Sequence, residues 1–264
     1  MANQKPIGVL DSGVGGLTVL KELKKALPNE SFIYLGDSIR SPYGPRPVEE
    51  IQLFTEQMID RLLENDVKAV VIACNTITVN SLPALQQKYM IPIIGMNLAA
   101  EAANQLSKKR SVAILGTAAT ITAGKHLEAL KGVDTDLRAY PIPCYDFATL
   151  VETGHIGDEK AMSAVSQYLG DIRGEVDVIV FGCTHYPFLA KDIEAFMGDT
   201  AVIIDPAALT AKDTAEVLKS HDMLSDAKED GQITIYFTGD LCQPKALAAK
   251  ALTSTYTIHS THWD

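Results

Sequence analysis

Two cysteines sit in matching local settings. Cys74 follows the apolar run Val70-Val71-Ile72-Ala73 and precedes Asn75-Thr76. Cys183 follows Val178-Ile179-Val180-Phe181-Gly182 and precedes Thr184-His185. In each case a buried-looking strand ends at a thiol, and small polar residues begin the next segment. Side chains and free backbone N–H groups there can face an anion and can favour the thiolate. One such cysteine is most simply a packed core residue. A matched pair asks for chemistry that uses two thiols. A thiolate can take a proton from one face of a carbon while a thiol delivers one to the other face, which inverts the centre. A duplicated scaffold suits that reaction, because its reverse exchanges the two roles.

Other segments carry weaker signals. The run Asp11-Ser12-Gly13-Val14-Gly15-Gly16 leads from a strand into a helix, where glycines permit close backbone approach to a ligand. Thr18 occupies the position where a dinucleotide fingerprint needs its third glycine, so that reading fails. Asp11 reads either as a helix cap or as a group that orients an ammonium or assists a thiol. Ser41-Pro42-Tyr43-Gly44-Pro45 is a turn-rich loop, either a plain connection or a wall over a small ligand. Asp37 reads as a turn cap and Glu152 as a solvated helix residue. His259 and His262 lack the company a metal site requires, so no metal is expected. Cys144 and Cys242 have no polar constellation and read as structural. Spacing in this chain disfavours disulfides and zinc ribbons alike.

The elements that position these residues alternate between β-rich runs and amphipathic stretches. Strands are expected at Ile7–Leu10, Phe32–Leu35, Val67–Ala73, Pro92–Gly95, Val112–Leu115, Val176–Phe181, Val202–Ile204 and Ile233–Phe237. Near-continuous Val/Ile runs suit parallel strands covered on both faces. Leucines 17, 20, 23 and 27 form one helical stripe, and Ile51, Phe54, Met58 and Leu62 form another. The fold class expected is α/β, with two pseudo-symmetric domains and mainly parallel sheets. Asp11 precedes Cys74 by 63 residues and Gly116-Thr117, at a similar strand end, precedes Cys183 by 67 from Gly116. A helix over 207–219 and the strand at 233–237 suggest that the chain returns to its first unit. The expected domains are 1–97 plus 208–264, carrying Asp11 and Cys74, and 98–207, carrying Cys183 and His185.

The net charge of −10 disfavours nucleic acid as a direct partner, since phosphate binding needs a basic face. No apolar run approaches the ~18 residues that read as a membrane span, and the first residues lack a signal-peptide pattern. A cytoplasmic protein acting on a small molecule is expected, without membrane association and as a homodimer.

At this level of detail the chain resembles bacterial glutamate racemase over nearly its whole length. The resemblance rests on GVLDSGVGGLT (Gly8–Thr18), YLGDSIRSPYG (Tyr34–Gly44), ACNT (Ala73–Thr76), GTAATIT (Gly116–Thr122), GCTHYP (Gly182–Pro187) and DPAALT (Asp205–Thr210), in that order. It implies interconversion of L- and D-glutamate without pyridoxal or any other cofactor, supplying D-glutamate for peptidoglycan. It also implies an active site in the cleft between the domains. By the same resemblance Cys74 takes the α-proton from D-glutamate and Cys183 takes it from L-glutamate, assisted by Asp11 and His185. Asp11, Ser12, Tyr43, Gly44, Asn75, Thr76, Thr184 and His185 then match substrate contacts, with Glu152 and Thr117 as additional site residues. Two segments depart from the family pattern, Met96-Asn97-Leu98-Ala99 after Gly95 and Cys144-Tyr145-Asp146, where the family has an acidic residue with proline and Cys-Pro respectively. A related racemase, for instance for aspartate, or a protein that only binds an acidic metabolite, are the competing readings.

Overall fold

The computed structural model describes residues 4–263. The chain opens with β1 (Ile7–Asp11), α1 (Leu17–Ala26), β2 (Phe32–Gly36), α2 (Val48–Leu63), β3 (Ala69–Ile72), α3 (Asn75–Lys88) and β4 (Ile93–Ile94). It continues with α4 (Ala100–Leu106), β5 (Ser111–Gly116), α5 (Ala118–Thr122), α6 (Lys125–Val133) and β6 (Arg138–Pro143). Next come α7 (Phe147–Glu152), α8 (Glu159–Leu169), β7 (Val178–Gly182), α9 (Ala190–Met197) and β8 (Val202–Ile204). It closes with α10 (Ala207–Ser220), β9 (Ile233–Thr238), α11 (Cys242–Ala251) and β10 (Thr257–Thr261).

Two compact units result. One comprises residues 1–97 and 207–264, the other residues 98–206. The first holds a six-stranded sheet in the order β10-β9-β2-β1-β3-β4 and the second a four-stranded sheet in the order β6-β5-β7-β8. All pairings are parallel. The segment β2-β1-β3-β4 therefore has the same strand order as β6-β5-β7-β8. Each has a switch point where successive connections leave in opposite directions, between β1 and β3 in one unit and between β5 and β7 in the other. Ligands of open α/β sheets bind outside the carboxyl ends of strands at such points.

The apolar runs explain the central strands. Every residue of β1, β3, β5 and β7 is buried, which only a strand covered on both faces can satisfy. Ile7, Val9 and Leu10 are fully excluded from water, each contributing about 1.5–3 kcal/mol by burial. Helix α1 turns Leu17, Leu20 and Leu23 inward, and α2 buries Ile51, Met58 and Leu62, as the sequence stripes require.

Two edge strands escape the sequence reading. Strand β6 contains Pro141 and Pro143, paired opposite Ile114 and Gly116. Proline lacks the N–H a central strand would need, and β6 lies at a sheet edge where that loss is tolerated. Strand β10 is polar and largely exposed, so hydrophobic pattern gives it away no better than a loop. The last strand is thus β10, not β9.

The departing segment near Gly95 has a clear structural task within its own unit. The backbone N–H of Met96 donates to Thr78 Oγ1 at 3.0 Å and that of Asn97 to Thr210 Oγ1 at 2.9 Å. The Asn97 amide also donates to Asp213 at 2.7 Å. The chain is therefore pinned to α3 and α10 where it leaves the first unit.

Candidate active site

In the first unit, β1 and β3 end side by side and deliver Asp11 and Cys74. Asp11 is fully buried, and its Oδ2 accepts the backbone N–H groups of Gly13 (3.2 Å) and Gly16 (2.9 Å). The carboxylate thereby shapes the loop that presents Ser12. Gly16 fits because a Cβ there would lie 2.7 Å from Asp11 Cβ and 3.0 Å from Ala73 Cβ. Tyr34 braces the same loop through a 2.7 Å bond from its hydroxyl to the Gly13 carbonyl.

Cys74 caps the N-terminus of α3 in extended backbone geometry. The partial positive charge of the helix start faces its surroundings. Its sulfur lies 3.8 Å from Ser12 Oγ and is 4% exposed with the rest of the side chain. Asn75 and Thr76 follow in the first turn, both buried. Among the described residues the Asn75 side-chain oxygen and nitrogen have no hydrogen-bond partner. A buried polar group left so costs about 1–3 kcal/mol, and a carboxylate or ammonium beside Cys74 would relieve that cost.

Tyr43 and Gly44 lie in the loop between β2 and α2. Tyr43 is buried, and its hydroxyl donates to Asp37 Oδ2 at 2.5 Å. Burial, reinforced by the Asp37 carboxylate, raises the phenol pKa above its ordinary value. The side chain is therefore a neutral, buried strut of the loop.

In the second unit, β5 and β7 end side by side and deliver Thr117 and Cys183. Thr117 caps α5, its hydroxyl accepting the Thr120 backbone N–H at 3.3 Å. Cys183, Thr184 and His185 lead from β7 into a 3-10 turn at Tyr186–Leu189 and are all buried. The Cys183 sulfur lies 3.8 Å from His185 Nδ1, and His185 Nε2 lies 2.8 Å from Glu152 Oε1 at the end of α7. Glu152 is thus not a solvated residue but the partner of a buried histidine. Burial disfavours the imidazolium, yet the bonds to Cys183 and Glu152 override it and hold the His185 pKa well above its usual value. That shift favours the protonated ring beside the sulfur.

This pairing has a pH signature. A raised folded-state pKa stabilises the protein fully below the unfolded value of about 6.5, and the contribution is lost as pH rises through the folded value. Glu152→Gln should lower that folded value, so the loss of stability still begins near the unfolded value but is smaller and complete at lower pH than in the parent. Thermal melts across pH, with an NMR titration of the His185 ring, check this; identical titrations in parent and variant would contradict it.

Sequence reasoning passed over His126, which it had no reason to separate from the core stripe it shares with Leu130 on α6. The ring is buried, and among the described residues neither nitrogen has a partner. Burial lowers its pKa to about 4, so it is neutral near pH 7. It packs beside Gly182, where a Cβ would come within 3.4 Å of Nε2. Cys144 is buried with its thiol pKa raised by burial, unsuited to proton transfer near neutrality, while its carbonyl accepts the Tyr186 hydroxyl at 3.1 Å. Cys242 is exposed. His259 stacks near Tyr236, ring centroids 5.5 Å apart. Among the described residues no group of three or more His, Cys, Asp or Glu is placed to hold a metal.

Residues 7–214 match the family model described as Asp/Glu/Hydantoin racemase. The glutamate racemase of Lysinibacillus sphaericus is 41% identical over 238 residues, 89% of this chain and 90% of its own length. That of Shouchella clausii is 40% identical over 263 residues, 98% of this chain and 95% of its own. Among solved structures, a glutamate racemase isoform from Bacillus anthracis aligns with a TM-score of 0.90 at 36% identity, covering 98% of each chain. The glutamate racemase from Francisella tularensis in complex with D-glutamate aligns with a TM-score of 0.86 at 28% identity, covering 99% of this chain and 98% of that one.

Proposed function

Because the chain belongs to the Asp/Glu/hydantoin racemase family, we propose that it interconverts L- and D-glutamate by moving the α-proton between Cys74 and Cys183. The observation that carries this reading is the duplicated strand order with a buried cysteine at each switch point. Relatives of about the same length, named glutamate racemases, support the substrate. Cys74 removes the proton from D-glutamate while Cys183 protonates the opposite face; for L-glutamate the roles exchange. Ser12 and the start of α3 serve the first thiol, and His185 with Glu152 serves the second. Asp11 holds the loop bearing Ser12. Asn75, Thr76 and Thr184 bind the carboxylates, the loop at Tyr43-Gly44 bounds the substrate, and Thr117 lies at the matching strand end.

No helix among the described residues is long and apolar enough to cross a membrane, which is compatible with a cytoplasmic place of action. The reading extends to a homodimer whose D-glutamate enters peptidoglycan. The direct test is circular dichroism of L-glutamate incubated with the purified protein and no added cofactor or metal. The signal should decay to zero as the racemate forms; a constant signal would refute the proposal.

Substrate length offers a second test. Polar groups placed for a five-carbon diacid are left unpaired by one methylene fewer, and such mismatches are costly. The kcat/KM for glutamate should exceed that for aspartate by about 100-fold or more. Comparable values would assign the chain to a broader amino-acid specificity.

A further inference from the structure

Asp37 lies just beyond β2, in the loop that goes on to Tyr43 and Gly44, and is fully buried. Its carboxylate gathers donors from distant parts of the first unit. Oδ2 accepts from Arg40 Nε and from the Tyr43 hydroxyl. Oδ1 accepts from Thr238 Oγ1 on β9 and from the Trp263 indole N–H, each at 2.9 Å. Trp263 follows β10 and stands 226 positions from Asp37.

The indole does more than donate one bond. The Arg40 guanidinium carbon lies 4.1 Å from the Trp263 ring centroid and 4.0 Å from that of Phe54. Such contacts strengthen when the cation is partly desolvated, and the Arg40 side chain is only 15% exposed. Phe54 packs against Tyr43 with ring centroids 5.7 Å apart. The Arg40 carbonyl in turn accepts from Arg46 Nε at 2.9 Å. Asp37, Arg40, Tyr43 and Arg46 thus span the whole loop, and Trp263 closes the network from outside it.

We propose that Trp263 is a positioning residue for substrate binding, setting the loop at Tyr43-Gly44 through Asp37 and Arg40. The inference rests on the reading that this loop bounds the amino-acid substrate. A residue that touches no substrate but fixes a binding loop changes KM more than kcat.

Trp263 is the only tryptophan of the chain, so intrinsic indole emission reports on it alone. Titrating the parent protein with racemic glutamate, where no net turnover occurs, should change that emission saturably, with a midpoint near KM. Trp263→Ala should raise KM about 10-fold while kcat stays within about 3-fold. Trp263→Phe keeps a ring over Arg40 and loses only the N–H, so its KM should fall between parent and alanine variant. Flat emission through saturation, or parent-like KM in both variants, would overturn the proposal even if the variants melted earlier. Should Trp263→Ala fail to fold, the parent titration and the phenylalanine variant still decide. Both cysteines remain in place throughout, and KM is compared on whichever amino acid the parent racemises. Failure here is therefore distinct from failure of the two-thiol reading.

Discussion

Cys74→Ser should nearly abolish glutamate racemisation and yet retain elimination from one enantiomer of an analogue with a β-leaving group. Racemisation needs a base and an acid at once, and a serine hydroxyl is a far weaker acid than a thiol. The expected loss is about 10³-fold or more, the upper part of the range for general acid–base groups. Elimination needs only the first proton removed; the leaving group then departs with its electron pair. Cys74→Ser retains Cys183 with its His185–Glu152 partners, so it should eliminate from the L-analogue and fail with the D-analogue. Cys183→Ser should show the opposite handedness, leaving Cys74 with Ser12 and the start of α3. Release of the leaving group from each enantiomer, alongside circular dichroism of glutamate, reads both results. Equal loss of both eliminations in both variants would make the cysteines structural or nucleophilic. Near-parent racemisation in either variant would exclude the opposed-thiol mechanism.

At the other end of β3, Lys68→Met should cost stability without touching chemistry. The Lys68 ammonium lies 2.6 Å from Glu30 Oε2, with side-chain exposures of 0% and 3%. It also donates to the Met223 carbonyl at 2.7 Å, while Glu30 Oε1 accepts the Ser225 backbone N–H at 2.7 Å. The pair therefore fastens the segment after α10 to the residues that lead into β2 and β3. Removing one member of a buried pair strands the other charge, at about 3–5 kcal/mol, or a fall of about 10 °C in melting temperature. Replacing both residues by apolar ones should recover only part, because the Met223 and Ser225 backbone groups lose their partners. Thermal and urea unfolding measure the loss, and kcat/KM per folded molecule should stay at the parent value. A stability change below about 1 kcal/mol would show the pair to be dispensable.

The contrast between the two ends of β3 parallels what the sequence disclosed. Val70-Val71-Ile72-Ala73 announced both a buried strand and the thiol at its end, because hydrophobic runs and small polar residues are local signals. The same held for β7 and Cys183. Strands β6 and β10 were illegible for a physical reason: at sheet edges the pattern relaxes, and Pro141 and Pro143 read as breakers. Asp37 looked like a turn cap because its donors, Thr238 and Trp263, lie some two hundred residues away. Glu152 looked solvated on its own helix, and only the path of β7 brings His185 to it. Local chemistry was readable residue by residue, while partnerships between distant segments were not.

The duplicated strand order carries unlike helpers, a hydroxyl and a helix start beside Cys74, an imidazole and a carboxylate beside Cys183. In achiral water the two enantiomers have equal free energy, so the equilibrium constant for racemisation is unity. The Haldane relation then fixes kcat/KM to the same value in both directions, however different the two bases are. The unlike helpers can only appear as kcat and KM that differ in the same proportion between L- and D-glutamate. Any substitution on either side, whether at Ser12 or at Glu152, must change the two kcat/KM values by the same factor.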